Sequence, residues 1–275
     1  MSFFINSNLA KAFEETHLFI LWENALKSEY SNQILEDIKE NFTILDIYKI
    51  SWTPEKFANN LERLSKAPFY QDPKFFTEEF INKRIQANGI GPFLCIVVDV
   101  ENPVFEKKKT KGNGIRKVCI NIFNKKYYYR DLVKDFTVHA TDDREELNRN
   151  LILLLGKSVD DFKKEYTAKW DGVIKNREED LIGADTWKST DEILYVLSSS
   201  YQEVYSTKNK NITNIYFSTS YPNEVEDCIK CILNLETTSE SKNKNQFKIK
   251  IENKMVSCSL EKIKTEKFVF IIDNF

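Results

Sequence analysis

The sequence predicts an α+β fold, and three observations support this prediction. Short apolar runs have the length and composition of buried strands, and the most hydrophobic of these runs is residues 93–98. Between these runs lie segments whose apolar residues recur every three or four positions, as on one face of a helix. The predicted strands are connected through helices, and the chain later returns to the sheet over a long sequence separation. This order favours a sandwich of one sheet and one helical layer.

In the first half of the chain, strand and helix patterns alternate. Ser31 is a good N-cap for one helix, and Thr53 followed by Pro54 is a typical start for another. Gly91 and Pro92 break the chain before the most apolar strand. The predicted elements are strands at 18–22, 43–52, 93–98 and 118–123, a strand-like segment ending at His139, and helices at 31–42, from 53 onward, at 77–86 and at 144–156.

The second half predicts a smaller α+β unit. Phe162, Tyr166 and Trp170 recur every four residues, which favours a helical connector over 158–181, and Ser189 caps a further helix. The remaining predicted elements are strands at 214–218, 247–251, 255–263 and 268–272, a helix at 222–235 and a polar loop at 236–245. We therefore expect domains at 1–157 and 189–275, with a connector at 158–188.

Composition excludes several classes of function. Lys+Arg 40 against Asp+Glu 42 gives a net charge of −2, so no overall basic field favours nucleic acid or anionic membrane. No apolar run approaches the ~20 residues of a membrane-spanning helix, and no secretory leader opens the chain. The five cysteines are less dense in the sequence than those of small disulfide-rich domains, which favours reduced thiols in a cytoplasmic protein.

Cys228 and Cys231 have the spacing of a metal or redox pair. They also fall on the apolar face of the predicted helix at 222–235, and only Cys258 follows them as a third thiol. Core cysteines are the favoured interpretation, and a metal or redox pair is the alternative.

His139 is the strongest candidate functional residue. It is one of two histidines and ends an apolar segment directly before a helix start, at which Thr141 or Asp142 is the expected N-cap. Imidazole can carry a proton or a phosphoryl group near neutral pH, and a helix N-terminus attracts anions. The segment predicts a phosphate-related site, with a purely structural histidine as the alternative.

A basic, glycine-containing run follows the strand at 93–98. If it folds over the site, Lys109 and Lys111, together with Arg130, would neutralise phosphate charge. A solvated hairpin tip is the plainer interpretation. The tyrosines at 127–129 could stack a nucleobase, although strand aromatics packed on the sheet are favoured.

Two motifs, Gly91-Pro92-Phe93 and His139-Ala140-Thr141-Asp142, resemble those of nucleoside diphosphate kinases, in the same order and at about the same separation. The resemblance covers roughly residues 18–156 and implies a ferredoxin-like sandwich. It further implies that His139 is a transiently phosphorylated nucleophile with Thr141 as its hydroxyl partner. Asp142 would face the bound nucleotide, which Mg²⁺ would accompany.

Three positions depart from that family's pattern. Glu23 stands where the family has a phosphate-binding lysine, Phe136 where it has an asparagine, and Asn150 where a glutamate orients the histidine. Losing a cation and a carboxylate removes charge stabilisation and orientation of the nucleophile. The alternative function is therefore a catalytically inactive pseudoenzyme that acts as an interaction or assembly module.

A second resemblance is to uncharacterised proteins associated with surface-polysaccharide gene clusters, in which a kinase-like half precedes a nucleotidyltransferase-like half. It rests on Tyr129-Arg130, on the His139 segment and on Leu153-Leu154-Leu155-Gly156. It implies handling of a nucleotide-linked metabolite in glycan metabolism, and both resemblances favour a homo-oligomer. The strand around Asn214 lacks the paired carboxylates that hold two metal ions, so the C-terminal domain is expected to be inactive.

Overall fold

The structure is a computed structural model that describes residues 15–65, 77–110, 114–166, 170–209, 211–219, 222–223, 225–237 and 246–273. The strands are β1 Thr16–Leu21, β2 Thr43–Ile50, β3 Phe93–Asp99, β4 Phe105–Thr110, β5 Gly114–Cys119, β6 Val138–Ala140, β7 Lys175–Arg177, β8 Gln202–Asn209, β9 Ile212–Ser218, β10 Glu236–Thr237, β11 Gln246–Ile251, β12 Lys254–Lys264 and β13 Lys267–Asp273. The helices are α1 Glu23–Leu26, α2 Ser31–Asn41, α3 Phe57–Ser65, α4 Glu78–Asn88, α5 Ile120–Val133, α6 Arg144–Leu155, α7 Val159–Glu165, α8 Thr190–Ser200 and α9 Val225–Leu233.

The first sheet has the strand order β6-β1-β3-β2-β7. β1 runs antiparallel to both of its neighbours, so Ile20 lies between Cys95 of β3 and His139 of β6. Every residue of β1 and of β3 is buried, as expected for strands covered on both faces. The α+β class predicted from the sequence is therefore correct.

Alternate residues of β1 point into two different cores. Phe19 packs with Ile38 and Ile122 in the core beneath α2 and α5. Ile20 belongs to the other core, which includes Leu151 of α6 and continues to Phe270 in the second half of the chain. Because this core joins both halves, the helices that follow the first sheet pack directly on the second unit. The proposed boundaries at 157 and 188 stay a prediction.

The second sheet is antiparallel throughout and has the order β10-β11-β12-β13-β9-β8. β11 alternates strictly between exposed and buried residues, which shows that one face is covered. Four of its six strands match predicted strands, whereas β8 and the two-residue β10, at the start of the predicted loop at 236–245, were not anticipated. The rest of that loop, residues 238–245, lies outside the described residues. Ile229 of α9 and Ile193 of α8 share the core with Ile249 and Phe270 of the sheet.

One predicted strand is wrong. The chain ends β5 at Cys119 and starts α5 at Ile120, so most of the predicted strand at 118–123 is helical. Ile122, Lys126 and Tyr129 are the buried residues of α5, at helical spacing. The tyrosines at 127–129 consequently lie on a helix and not on a strand.

The helix predicted over 158–181 is also shorter than expected. The helix α7 ends at Glu165, and Lys175–Arg177 then adds β7 as a parallel edge strand beside β2. Cys228 is buried on α9, as the core interpretation requires, while Cys231 is partly exposed, and none of the five cysteines, all of them described residues, forms a disulfide. Within the described ranges, no helix is long and apolar enough to cross a membrane.

Candidate functional site

His139 faces α6 from the edge strand of the first sheet. Its side chain is 20% exposed. The imidazole Nε2 lies 3.5 Å from Asn150 Nδ2 and 3.5 Å from Glu146 Oε1. Glu146 and Asn150 are four residues apart on α6 and therefore share one face. The helix thus presents an amide and a carboxylate to the same ring nitrogen.

Glu146 is a site residue that the sequence analysis missed. It supplies a carboxylate one turn before Asn150, the position at which the sequence lacks the expected glutamate. Its Oε2 also accepts a hydrogen bond of 2.6 Å from the backbone N–H of Asp142. The signal was available, because two residues four apart on a predicted helix lie together on its surface.

The N-terminus of α6 is arranged one residue later than predicted. Asp143, and not Thr141 or Asp142, is the N-cap, and its carboxylate accepts from Glu146 N at 2.9 Å. The other carboxylate oxygen of Asp143 lies 2.5 Å from Arg116 Nη2 of β5. The cap therefore ties the β4–β5 hairpin to the helix and leaves Asp142 for another partner.

That partner is Lys126, from the neighbouring α5. Its ammonium group is almost fully buried, pairs with Asp142, and donates to Ala140 O at 3.0 Å. Arg130, one turn further along α5, donates from Nε to Val138 O at 2.7 Å. The carbonyls on either side of His139 are thus each held by a cation from the same face of α5.

Burial and the surrounding cations keep the His139 imidazole neutral. Burial is the largest cause that lowers its pKa well below the usual value, followed by Lys126, Arg130, Arg84 and Arg149. Since the ring is neutral at pH 7, one of its nitrogens has a free lone pair. Burial, together with Asp142, raises the pKa of Glu146, against the opposing effect of Lys126 and Arg149.

Aromatic rings and guanidinium groups form a surface beside these cations. The Arg130 guanidinium carbon lies 5.4 Å from the centre of the Phe136 ring and 5.7 Å from that of Tyr127. Arg84 of α4 lies 6.0 Å from the same Phe136 ring, which also meets Phe80 edge-on. Two of the cations at the site, Arg130 and Arg84, thus lie against the Phe136 ring.

Thr141 lies beside the other histidine. It is fully buried, and its Oγ1 accepts from Leu18 N at 3.2 Å and lies 2.9 Å from His17 Nδ1. His17 Nε2 lies 3.1 Å from Glu15 Oε1. Burial is the largest influence on His17 and lowers its pKa, but hydrogen bonds with Cys119 and Glu15 raise it to about 9.

Glu23, in the position where the resembled family has lysine, has backbone partners. Its Oε2 accepts from Ile90 N at 2.9 Å and Gly91 N at 2.7 Å, and its Oε1 pairs with Lys27 at 2.6 Å. The Lys27 hydrogen bond, followed by that of Gly91, lowers the pKa of Glu23. A Cβ on Gly91 would come within 2.4 Å of the Glu23 carboxylate, so this contact requires glycine.

The predicted site residues are therefore only partly brought together. Arg130 of α5 contacts the backbone of β6 next to His139. Asp142 is linked to this part of the site through its ion pair with Lys126. Lys109 is exposed on β4, where it pairs with Ile115 of β5, so the basic run is a hairpin strand. Lys111 lies outside the described residues.

Comparison with known proteins gives one weak likeness to report. No family model and no curated protein sequence matches the chain. The solved structure of Aquifex aeolicus nucleoside diphosphate kinase matches with a TM-score of 0.31 and 16% sequence identity, covering 50% of this chain and 92% of that one. A similarity of this size does not establish a shared fold.

Proposed function

We propose that the His139 site binds the phosphate groups of a nucleotide or nucleotide-linked metabolite, and that His139 transfers a phosphoryl group. The observation that carries the proposal is a partly exposed, neutral imidazole among four cations from three helices. Such a cluster attracts a multiply charged anion, and charge-assisted hydrogen bonds from lysine and arginine to phosphate oxygens are strong.

The chemistry follows from the two ring nitrogens. In the proposed tautomer the proton is on Nε2, which lies 3.5 Å from Glu146 Oε1, and the lone pair is on Nδ1. In the proposed step, Nδ1 attacks the terminal phosphorus and the bond to the bridging oxygen breaks. The shortened nucleotide leaves with that electron pair, its charge is stabilised by Lys126 and Arg130, and a second acceptor then takes the phosphoryl group from Nδ1.

The remainder of the ligand would lie along the aromatic surface. Rings such as Phe136 and Tyr127, held by Arg130, can stack a nucleobase. Among the described residues, no group of three or more His, Cys, Asp or Glu side chains could hold a metal. Any Mg²⁺ would therefore be held mainly by the nucleotide phosphates.

The architecture supports this proposal in outline. The order β6-β1-β3-β2 agrees with a ferredoxin-like sandwich in residues 1–157. We assign residues 189–275 to an inactive nucleotidyltransferase-like domain, and homo-oligomerisation and a role in surface-glycan metabolism remain part of the proposal. The inactive C-terminal domain, the homo-oligomer and the glycan role are supported by the sequence resemblance alone.

Calorimetry tests the binding step. Wild-type protein would be titrated with ATP, CDP and nucleotide sugars, with and without Mg²⁺, beside His139→Gln and the exposed-lysine control Lys39→Gln. We expect saturable binding that His139→Gln weakens and Lys39→Gln leaves unchanged. After incubation with labelled ATP, an acid-labile phosphate should form on wild type and Lys39→Gln but not on His139→Gln. A well-folded wild type that binds no nucleotide would contradict the proposal.

A pseudoenzyme is the second candidate. The observation in its favour is that Thr141 and Glu23 are both engaged in contacts that hold the fold together. It predicts nucleotide binding without transfer, or a protein partner in place of a nucleotide. The labelling experiment separates the two, because only the transferase forms phosphohistidine.

A further inference from the structure

A polar cavity lies where α6 meets the end of α8, and His139 does not line it. Its volume is about 530 Å³, within the range of small-molecule sites. Asn148 and Arg149 line it from α6, and the consecutive residues Ser198 to Tyr201 line it from the end of α8. Nothing in the proposed phosphoryl transfer uses this space.

The charges in the lining are balanced. Arg144 and Arg149 are the basic residues, and Glu145 and Asp160 are the acidic ones. Arg144 Nη2 already lies 3.3 Å from Asp160 Oδ1. The cavity therefore has no excess of positive charge to hold an anion, which distinguishes it from the His139 site.

The serines offer hydrogen-bond acceptors. Ser198 Oγ donates to Tyr195 O at 2.8 Å and Ser199 Oγ donates to Val196 O at 2.7 Å. A serine hydroxyl has a single proton, so both oxygens can present only lone pairs to a ligand. A ligand that lies against both must donate two hydrogen bonds, whereas a phosphate dianion carries at most one proton.

Donors complete the lining. Asn148 Oδ1 accepts from Val159 N at 3.0 Å, so its amide nitrogen remains the group that can donate. Tyr201 is 8% exposed, and its hydroxyl has no hydrogen-bond partner among the described residues. Burial raises the pKa of Tyr201, so the hydroxyl keeps its proton and can donate. A buried donor of this kind is costly unless something accepts from it.

We propose that this cavity binds a neutral polyhydroxylated small molecule, a monosaccharide or a polyol. Hydroxyl groups both donate and accept, so they match serine acceptors and the Asn148 and Tyr201 donors at once. Neutrality matches the balanced charge of the lining. Arg149 lines this cavity and is also one of the cations near His139, but the inference does not depend on the function proposed for His139.

Two-dimensional amide NMR of the full chain tests it. A panel of neutral hexoses, pentoses and inositol would be titrated, with inorganic phosphate as the comparison. Tyr201→Phe and Ser199→Ala each remove one hydroxyl from the cavity. Tyr205→Phe is the matched control, because Tyr205 is exposed on β8 and stacks on Tyr216 outside the lining.

We expect at least one panel sugar to shift the amides of residues 198–202 saturably. Loss of one hydrogen bond should weaken binding about fivefold in either cavity variant, with Tyr205→Phe unchanged. The proposal is overturned if no panel sugar binds, if phosphate binds in preference, or if both cavity variants keep wild-type affinity. Binding of nucleotide at His139 is read separately, so the two proposals can fail independently.

Discussion

The two histidines lie on neighbouring strands and are held in opposite protonation states. His17 is fully buried on the face of β1 that carries α2 and α5, whereas His139 looks toward α6 from β6. Burial lowers the pKa of both rings. The carboxylate of Glu15 and the contact with Cys119 outweigh burial at His17, while four cations add to it at His139. The sign of the neighbouring charge, and not burial, decides which histidine is charged.

The largest expected effect is a fall in stability at alkaline pH caused by His17. Its folded pKa of about 9 is above the unfolded value of 6.5, so the stabilisation is complete below about pH 6.5 and is lost as pH rises through 9. Linkage makes the loss roughly 3 kcal/mol at most. Urea unfolding at a series of pH values measures it, and His17→Gln should flatten the curve over this range.

The same experiment on His139→Gln sharpens the comparison. The folded pKa of His139 is lowered, so its contribution to stability is present above pH 6.5 and is lost as pH falls through the folded value. This variant should keep the alkaline loss and reduce the acidic one. If His17→Gln does not fold, NMR titration of the wild-type imidazoles decides, and two rings titrating together would contradict the comparison.

The next largest effect is expected for Lys126→Met, which keeps the apolar stem and removes the charge. The pKa of His139 should rise toward its ordinary value because Lys126 is the largest electrostatic cause of its lowering. The free energy of unfolding should fall by about 2 kcal/mol, since Asp142 and Ala140 O lose their buried hydrogen-bond donor. NMR titration and urea unfolding measure the two effects.

Lys125→Met is the matched control for that variant. Lys125 is the adjacent residue on α5, but its pair with Asp37 is partly exposed. A smaller loss of stability and an unchanged His139 pKa are expected. Equal effects of the two substitutions would show that the buried position of Lys126 is unimportant.

The smallest effect is expected at the cap of α6. Asp143→Ala should lower stability by about 1 kcal/mol because Glu146 N loses its acceptor. Asp143→Asn keeps the acceptor and loses only the charge that faces Arg116, so it should cost less. Thermal unfolding compares the two, and an equal loss would mean that the ion pair, and not the cap, stabilises this helix start.

Local features of the site could be predicted from the sequence. His139 precedes a helix start, and its place depends only on the residues beside it in the chain. Lys126 was missed because residues 118–123 were predicted as a strand. Without a helix there, Lys126 and Arg130 were not expected to lie on the same helix face. On the helix α5 the two lie one turn apart and reach the carbonyls beside His139.

The sequence by itself determined the α+β class, the order of most strands and helices, and the prominence of His139, because hydrophobic periodicity and capping are local. Only the tertiary structure decided the protonation of the two histidines, the engagement of Thr141 by His17, and the balanced charge of the cavity beside α8. These properties depend on charges and hydrogen bonds between residues far apart in the chain, and through-space distances are not encoded in any local pattern.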